Sequence, residues 1–590
     1  MKIGKLLWLT IVAFALTVVL STLMTFAAEK TLGNHQNNLL LTDPFLQLPT
    51  KTTVNVVWFT DFLGSKHLVK YGDQLQKQVT ANTTKLSRVR EDKDSQLDSA
   101  PDQKVFRDIW RHEAIISGLK PNQRFPYQVL SIKKKQNIVS EVFTLASEPQ
   151  ANTPLKILLT SDHQLMPMTT ANLEQVVKTV GQVDGVFFPG DLVNTPDRAS
   201  EWFDDRRGGA FFPALQGKAN YELESNGTKT IYRGGEIIQH APLFTAIGNH
   251  EVMGQMSSEP RFKLKEEFNQ PLPRQIAVKA YQGLAGKINS DNDLQTKTEW
   301  IKNNSFNIDT YEEIFTLPQS KTGGSRYYAT TFGDIRLISL YVTNIWRSPS
   351  LEVNEKGRFK ESNLELEHPE SWGYGQHIFE SIGKDSPQYK WLEQELASLA
   401  YQQAKYKIVM LHHPPHTLGG NIVPPYTDPQ PKSYYDEEGT LSSRYYEYPI
   451  ANDYIIRDLI PLLESANVQL VYYGHSHLWN RFRSVSGMNF LESSNVGNSY
   501  GAHTSDNPRP VPTYSPQNYI ATGDPNGLEP IVPSIAPIID QQGRPLPYIA
   551  SNDITAFSIL DTELGTVSSY RYDIRTPDIP TLKFDEFELN

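Results

Sequence analysis

The stretch KILLTSDHQLMPMTTANLEQVVKTVGQVDGVFFPGD, residues 156–191, decides the fold class of this chain. It opens with an uninterrupted apolar run, which is typical of a strand buried on both faces. Apolar residues from Leu173 to Val180 then recur at helical spacing, with a threonine available as N-cap. The run GVFF, residues 185–188, indicates a second buried strand. Strand, helix and strand at this length predict a βαβ unit with parallel strands.

The same alternation returns in the second half of the chain. Helices are predicted at 386–400 and 454–467, the second kinked at Pro461, and each precedes a strand that ends in histidines. The chain closes in a predicted hairpin at 554–573. This pattern favours an α/β fold.

The region before this α/β pattern is different. Between residues 51 and 146, the runs TVNVVWFT, HEAIISGL, FPYQVLSI and VSEVFTL read as short strands at the spacing of a small β-sandwich. The polar stretch 75–104 is predicted to be a long loop. We therefore expect a β-sandwich at 45–148, an α/β domain at 154–590, and a signal peptide or membrane anchor at 1–28.

The N-terminal segment supports that last prediction. Lys2 and Lys5 precede an uncharged apolar run, residues 6–28, in the layout of a signal peptide. The run is also long enough to span a bilayer, which needs roughly 20 residues. Cleavage and retention as an anchor both stay open. In either case the body of the protein is expected to be exported, to the periplasm or outside the cell.

Composition excludes several kinds of chemistry. The 590 residues include no cysteine, so disulfides, thiolate nucleophiles and cysteine-type zinc sites are ruled out. The net charge of −10 is spread along the chain, which argues against binding to a nucleic-acid scaffold. A chain of this length is expected to form two or more domains.

Five short segments carry metal-binding side chains directly after predicted strands: TSDHQ, PGDLVN, AIGNHE, MLHHPPH and YYGHSH. Open α/β sheets hold their sites where such strand ends meet. Carboxylate, carboxamide and imidazole donors without thiolate favour Mn, Fe or Zn. The set comprises two aspartates, one asparagine and three histidines. These are more ligands than one tetrahedral ion can bind, and they suit two ions bridged by a carboxylate. A glycine before Asp191, Asn249 and His475 predicts a sharp backbone turn at each of these strand ends.

The ordered motifs D-x-[HQ], GD, GNH[DE], H-x-P and GHxH, over residues 154–590, resemble those of the calcineurin-like metallophosphoesterase superfamily. The segments HEAIISGLKPNQRFPYQV and SPQYKWLEQEL are similar to segments of purple acid phosphatases, whose N-terminal domain is fibronectin type III-like. The resemblance implies a sandwich of two sheets flanked by helices, with two divalent metal ions at one edge.

Carried over motif by motif, the resemblance implies that Asp191 bridges the two ions. The remaining implied ligands are Asp162, Gln164 and His477 for the first ion, and Asn249, His412 and His475 for the second. His250 would protonate the leaving group, and Glu251 would orient His250 by hydrogen bonding. Two bridged ions lower the pKa of a shared water and hold the phosphate oxygens, so that hydroxide attacks phosphorus in line.

Two positions depart from the family pattern. Gln164 stands where the first motif usually has histidine, and an amide oxygen is a weaker ligand than imidazole. His163 is the alternative ligand if the strand end shifts register, and both possibilities stay open. Asn194 stands where purple acid phosphatases supply a tyrosine. The ferric charge-transfer colour should therefore be absent, and the first site should hold a divalent ion.

Three further residues are predicted to contact substrate: Asn194, His416 and Arg206. Arg206 lies in an insertion that starts near the metal ligands, where it would bind a substrate anion or else belong to a solvated charged turn. The loop that contains Tyr374 and His377 is a further candidate to overhang the site.

These observations predict an exported phosphomonoesterase that acts on small phosphate esters. The alternatives are a phosphodiesterase or nucleotide hydrolase at the same site, and an exported binding protein whose catalysis is impaired at Gln164. GNSYG, residues 497–501, also matches the serine-hydrolase elbow G-x-S-x-G. That elbow requires a helix directly after it, and the sequence that follows is unsuited to one, so a glycine-rich turn is predicted instead.

Overall fold

The computed structural model describes residues 40–257, 262–346, 359–420, 426–511 and 519–589. The predicted signal peptide or anchor at 1–28 lies outside these residues. Within the described part of the chain, no helix is both long enough and apolar enough to cross a membrane.

The N-terminal part is all-β, as predicted. Its strands are β1 (Phe45–Gln47), β2 (Thr53–Thr60), β3 (Lys66–Tyr71), β4 (Lys77–Thr80), β5 (Asn82–Lys85), β6 (Arg90–Glu91), β7 (Val105–Phe106), β8 (Trp110–Ser117), β9 (Phe125–Lys133), β10 (Gln136–Val139) and β11 (Phe143–Leu145). One sheet has the order β1-β2-β8-β5 and the other β10-β9-β3-β4, with β11 on β9. The prediction of a continuous loop at 75–104 is wrong, because β4, β5 and β6 lie within it. β4 and β5 are sheet edges, where exposed polar residues hide the strand pattern.

The second part of the chain is mixed α/β. Its strands are β12 (Lys156–Leu159), β13 (Gly185–Phe188), β14 (Tyr221–Ser225), β15 (Thr228–Tyr232), β16 (Leu243–Thr245), β17 (Tyr328–Phe332), β18 (Ile335–Ser339), β19 (Thr343–Trp346), β20 (His377–Phe379), β21 (Tyr406–Met410), β22 (Gln430–Tyr435), β23 (Leu441–Glu447), β24 (Leu470–Tyr473), β25 (Trp479–Arg483), β26 (Asn489–Ser493), β27 (Tyr548–Ile549), β28 (Ile554–Asp561), β29 (Thr566–Asp573) and β30 (Leu582–Glu588). Its α-helices are α1 (Thr169–Val180), α2 (Ala199–Phe203), α3 (Phe211–Leu215), α4 (Leu264–Phe268), α5 (Arg274–Ile288), α6 (Leu294–Asn303), α7 (Asp309–Ile314), α8 (Pro387–Leu396), α9 (Leu399–Gln403) and α10 (Ile460–Ser465).

Two large sheets form this part. Their strand orders are β16-β13-β12-β28-β29-β30 and β17-β18-β21-β24-β26-β25-β27. β12 and β13 are parallel and α1 connects them, which confirms the predicted βαβ unit. β13 and β16 are parallel in the first sheet, and so are β21 and β24 in the second. Buried residues of both sheets, such as Ile157 and Ile408, belong to one apolar cluster.

Two local details refine the sequence prediction. Before α10, residues Ile455–Leu459 form a π-helical turn, in keeping with the predicted kink at Pro461, which has no N–H to donate to the helix. The predicted C-terminal hairpin is β28 and β29, and β30 adds a third antiparallel strand to it.

The two parts of the chain share a continuous core. The Phe59 ring of β2 lies 5.0 Å from that of Phe203 in α2, and the Phe45 ring of β1 lies 5.1 Å from that of Phe212 in α3. The N-terminal sandwich is therefore packed against the α2–α3 region, which directly follows Asp191 in the sequence. The boundaries 45–148 and 154–590 remain our proposal for the domain division.

Candidate metal centre

The five predicted segments come together at one edge of the two sheets. Asp162, Asp191 and Asn249 follow β12, β13 and β16, which are neighbours in the first sheet. His412 and His475 follow β21 and β24, which are neighbours in the second. The ends of the two sheets are in direct contact, because the His475 N–H donates to both oxygens of the Asp162 carboxylate at 3.0 Å.

Four donor atoms converge around His412. Its Nε2 lies 3.1 Å from Asn249 Oδ1, 3.1 Å from His475 Nδ1 and 3.2 Å from Asp191 Oδ2. Ligands bound to one ion at about 2.0–2.2 Å lie roughly 3–3.5 Å apart, so these four atoms fit around a single metal ion. His412 Nδ1 donates to the Pro189 carbonyl at 2.9 Å, which leaves Nε2 with a lone pair for the metal.

A second group of donors surrounds Asp162. Its Oδ1 lies 3.5 Å from His477 Nε2, and ligand atoms of Asp162, Asp191 and His477 lie within 4.8 Å of one another. His477 Nδ1 donates to the Asn498 carbonyl at 3.1 Å, which again leaves Nε2 free to bind metal. Gln164 Nε2 donates to Asp191 Oδ2 at 2.9 Å, whereas its Oε1 is buried without a hydrogen-bond partner. An unsatisfied buried oxygen beside two carboxylates fits a cation.

The backbone is strained at these positions. Left-handed φ angles occur at five of the seven predicted ligands: Asp162 (57°), Gln164 (39°), Asp191 (59°), His475 (82°) and His477 (55°). Such angles cost energy in residues other than glycine and cluster at functional sites.

The three glycines beside the ligands serve two purposes. Gly190 turns the chain with a φ of +104°, as predicted. Gly248 and Gly474 are instead required because a side chain at either position would overlap a ligand carboxylate. A Cβ at Gly248 would lie 2.3 Å from Asp191 Oδ1, and one at Gly474 would lie 2.0 Å from Asp162 Oδ2.

The charges of the donors favour binding of a cation. Burial raises the pKa of Asp191, but the nearby imidazoles, His412 foremost, outweigh burial and hold it below its ordinary value. Burial lowers the pKa of His412, but the Asp191 carboxylate outweighs it and raises the pKa to about 9. Asp191 and His412 therefore stabilise each other's charged forms, and a metal ion that binds between them would displace a proton from His412.

The predicted contact between Glu251 and His250 is not observed. The Glu251 carboxylate accepts hydrogen bonds from the N–H groups of Asp191, Leu192 and Gly248 at 2.7–2.8 Å. Burial, aided by the Asp191 charge, raises its pKa to about 8. Glu251 thus ties together two of the loops that hold the predicted ligands. The three N–H groups, which those loops turn inward, compete for the Glu251 carboxylate more strongly than the single imidazole of His250 does.

His250 takes its orientation from Asn194. The Nδ1 of His250 lies 2.6 Å from the Asn194 carbonyl, which can only accept, so Nδ1 carries the proton of this hydrogen bond. The Phe268 ring of α4 stacks on the His250 ring with centroids 5.1 Å apart. The His250 N–H donates to Asp191 Oδ1 at 2.9 Å.

The three predicted substrate contacts stay predictions, and the structure shows the surroundings of each residue. Asn194 Nδ2 donates to the Gln164 carbonyl at 2.5 Å, so this amide nitrogen braces a ligand loop. His416 is buried, with Nδ1 2.8 Å from the Asp524 carboxylate, because this buried charge provides it with a partner away from the metal ligands. The Arg206 N–H donates to the Gln96 carbonyl, and its side chain is exposed on the side of the N-terminal domain.

Two further histidines singled out by the sequence are buried beside the centre. His163 Nε2 lies 2.9 Å from Thr160 Oγ1, and its ring meets that of Phe188 edge-on at 4.5 Å, so His163 faces the core while Gln164 faces Asp191. His377 stacks on Trp346 with centroids 6.1 Å apart, and burial lowers its pKa to about 3. His377 is linked to the centre through Trp346, whose ring contacts His475 at 5.0 Å, while the overhang of its loop stays a prediction.

Sequence reasoning missed the aromatic residues that pack on the site. Phe268 packs on His250, Trp346 on His475, and Tyr500 on His477 at 5.0 Å. All three lie in long irregular segments or short elements that carry no periodic signal. Tyr500 belongs to GNSYG, which no helix follows directly, so the turn interpretation of that motif fits and the serine elbow does not.

Known families and structures resemble this chain over most of its length. The calcineurin-like phosphoesterase family matches residues 155–478, and the purple acid phosphatase N-terminal domain matches residues 42–147. No curated protein matches.

Two solved structures match this chain at low similarity. A purple acid phosphatase, PPD1, from yellow lupin (Lupinus luteus) seeds is 14% identical with a TM-score of 0.49, over 92% of this chain and 73% of that one. GAP50, the anchor in the inner membrane complex of Plasmodium, is 11% identical with a TM-score of 0.31, over 74% of this chain and 90% of that one. At these values neither structure bears on activity. The family match covers more than half of the chain and includes the converging donors, so the chain belongs to the calcineurin-like phosphoesterase family.

Proposed function

We propose that this phosphoesterase is an exported phosphomonoesterase that works with two divalent metal ions, Mn, Fe or Zn. The observation that carries the proposal is the position of Asp191. Its carboxylate is shared between the donors around His412 and those around Asp162, as a bridging ligand must be.

The proposed ligands follow from this geometry. Asp191 would be a ligand of both ions; Asp162, Gln164 and His477 would complete one site, and Asn249, His412 and His475 would complete the other. Two such ions, when bound, lower the pKa of a water molecule and neutralise charge on the phosphate oxygens.

The protein supplies the remaining steps through its own side chains. His250 is partly exposed, and the Asn194 carbonyl fixes its Nδ1 proton, so Nε2 is the atom that delivers a proton to the leaving alkoxide. General-acid catalysis of this kind contributes typically ~10²–10⁴-fold to the rate. Glu251 has a positioning role, because it holds the Asp191 and Asn249 loops together.

The substrate class rests on two further considerations. Members of the family act on small phosphate esters, and the match of residues 42–147 to a purple acid phosphatase domain favours monoesters. The apolar run at 6–28 behind Lys2 and Lys5 supports export, by cleavage or as an anchor. With Asn194 in the tyrosine position, the iron-loaded protein should lack a visible charge-transfer band.

The test compares p-nitrophenyl phosphate with bis-p-nitrophenyl phosphate after loading with Mn²⁺, Fe²⁺ or Zn²⁺. The monoester should be hydrolysed faster, with two metal ions per chain. Asp191→Asn should abolish turnover. Asp184→Asn, which removes a surface carboxylate paired with Arg124, is the matched control and should leave turnover intact. Faster hydrolysis of the diester would identify a phosphodiesterase. Absence of turnover with every metal would favour the impaired binding protein.

A further inference from the structure

The N-terminal domain places buried charges close to the metal centre. Its segment 88–108, which we call the arm, lies against the α/β domain and buries Arg90, Glu91 and Asp92, each with 2% exposure. Charges this deeply buried must be paired. Arg90 contacts Asp197 at 2.8 Å and Glu267 at 2.9 Å, both in the α/β domain.

Asp92 is linked to one side of His250 by a series of polar contacts. Its carboxylate accepts from Arg198 at 3.2 Å, and Arg198 donates in turn to Glu201 at 2.9 Å. The other oxygen of Glu201 accepts from the Asn194 N–H at 2.8 Å. The carbonyl of Asn194 then holds His250 Nδ1. Asp92 therefore fixes the residue that orients the imidazole.

Asp92 also supports the other side of His250. Its Oδ2 accepts from the Leu264 N–H at 2.8 Å, at the start of α4. Phe268, the last residue of α4, stacks on the His250 ring. The same arm holds α4 a second time, through the Glu267 contacts with Arg90 and Lys104. One carboxylate of the N-terminal domain thus anchors both the polar and the aromatic neighbour of His250.

We propose that Asp92 is a positioning residue for proton transfer to the leaving group, so that the N-terminal domain forms part of the catalytic apparatus. The proposal rests on the proposed phosphomonoesterase function and on His250 as the proton donor. An asparagine at position 92 keeps the shape and can still accept from Leu264, but it loses the charge that holds Arg198. Arg198 is then free to shift, and with it Glu201, Asn194 and the imidazole.

The test uses the full chain and three esters whose leaving groups differ in basicity: 2,4-dinitrophenyl phosphate, phenyl phosphate and ethyl phosphate. A good leaving group needs no proton, so Asp92→Asn should change kcat for the dinitrophenyl ester by no more than about threefold. A misplaced donor should slow the phenyl and ethyl esters by about 10- to 100-fold. A domain contact that is only structural would lower all three rates by the same factor.

Two comparisons make the result specific. Asp309→Asn removes a carboxylate that pairs with Arg88 of the same arm at 2.6 Å and with Lys302 at 2.9 Å, and that takes no part in the contacts described above between Asp92 and His250. This variant should destabilise the domain contact without changing how kcat depends on the basicity of the leaving group. In a His250→Ala background, Asp92→Asn should cause no further loss beyond about twofold, because the two residues act as one unit.

The outcomes separate the two proposals. Equal losses with all three esters, an effect of Asp309→Asn like that of Asp92→Asn, or full additivity with His250→Ala would overturn the positioning role. If Asp92→Asn does not fold, Arg198→Lys replaces it and must show the same selective loss. If the wild-type chain hydrolyses none of the esters with any metal, the proposed function fails, and the positioning role fails with it.

Discussion

Gly474 provides a quantitative test of how tightly the metal centre is packed. A Cβ at this position would lie 2.0 Å from Asp162 Oδ2 and 2.2 Å from Ser161 Oγ, whereas real Cβ contacts essentially never fall below 3.0 Å. In Gly474→Ala, the Asp162 carboxylate must therefore move by about 1 Å, and a displacement of that size costs about 100-fold in catalysis. Overpacking should also lower the free energy of unfolding by about 1–3 kcal/mol.

The assay measures bound metal per chain, kcat/KM for p-nitrophenyl phosphate and the denaturant midpoint. Gly474→Ala should hold about one metal ion instead of two, because the site around Asp162 is the one disturbed. Gly283→Ala is the matched control: Gly283 is exposed in α5, no atom lies within 4 Å of its added Cβ, and the change should stabilise the helix by about 0.5–1 kcal/mol. A folded Gly474→Ala protein with two metal ions and kcat/KM within about threefold of wild type would refute this reasoning.

Two other predictions concern the first metal site and the N-terminal sandwich. Gln164→Ala should weaken binding of one metal ion by about 10-fold, while His163→Phe should leave it unchanged, and the reverse order in a metal titration would make His163 the ligand. Burial, reinforced by His67, lowers the pKa of His112 to about 3, and their rings stack 3.5 Å apart. The neutral form is favoured in the fold, so stability is complete above about pH 6.5 and falls as the pH drops towards 3. In acid unfolding, His112→Gln should flatten this loss, and an unchanged pH profile would contradict the assignment.

The sequence was most informative about strand ends. Buried strands such as β12 and β13 are continuous apolar runs, and the polar residues that follow them, such as Asp162 and Asp191, sit at a fixed offset from those runs. Parallel strands bring their carboxyl ends to one edge of the sheet, so the set of donor residues could be predicted from the sequence alone. The polar edge strands in 75–104 escaped prediction because exposed strands carry no apolar pattern.

The partners of the polar groups were not predictable in the same way. Glu251 sits next to His250 in the sequence but bonds to three backbone N–H groups, and His416 pairs with Asp524, more than 100 residues away. Gly474 looked like a turn residue but is required for space beside Asp162.

The sequence by itself thus determined which buried strands lead to the site, which donors follow them and the family to which the chain belongs. Periodicity and turn chemistry are local properties, because residues that are neighbours in the sequence determine them. Only the tertiary structure decided which side chains meet, how the arm of the N-terminal domain reaches Arg198, and which nitrogen of His250 the Asn194 carbonyl holds. A buried polar group must find a partner wherever the packed chain provides one, and that partner is set by contacts between distant segments.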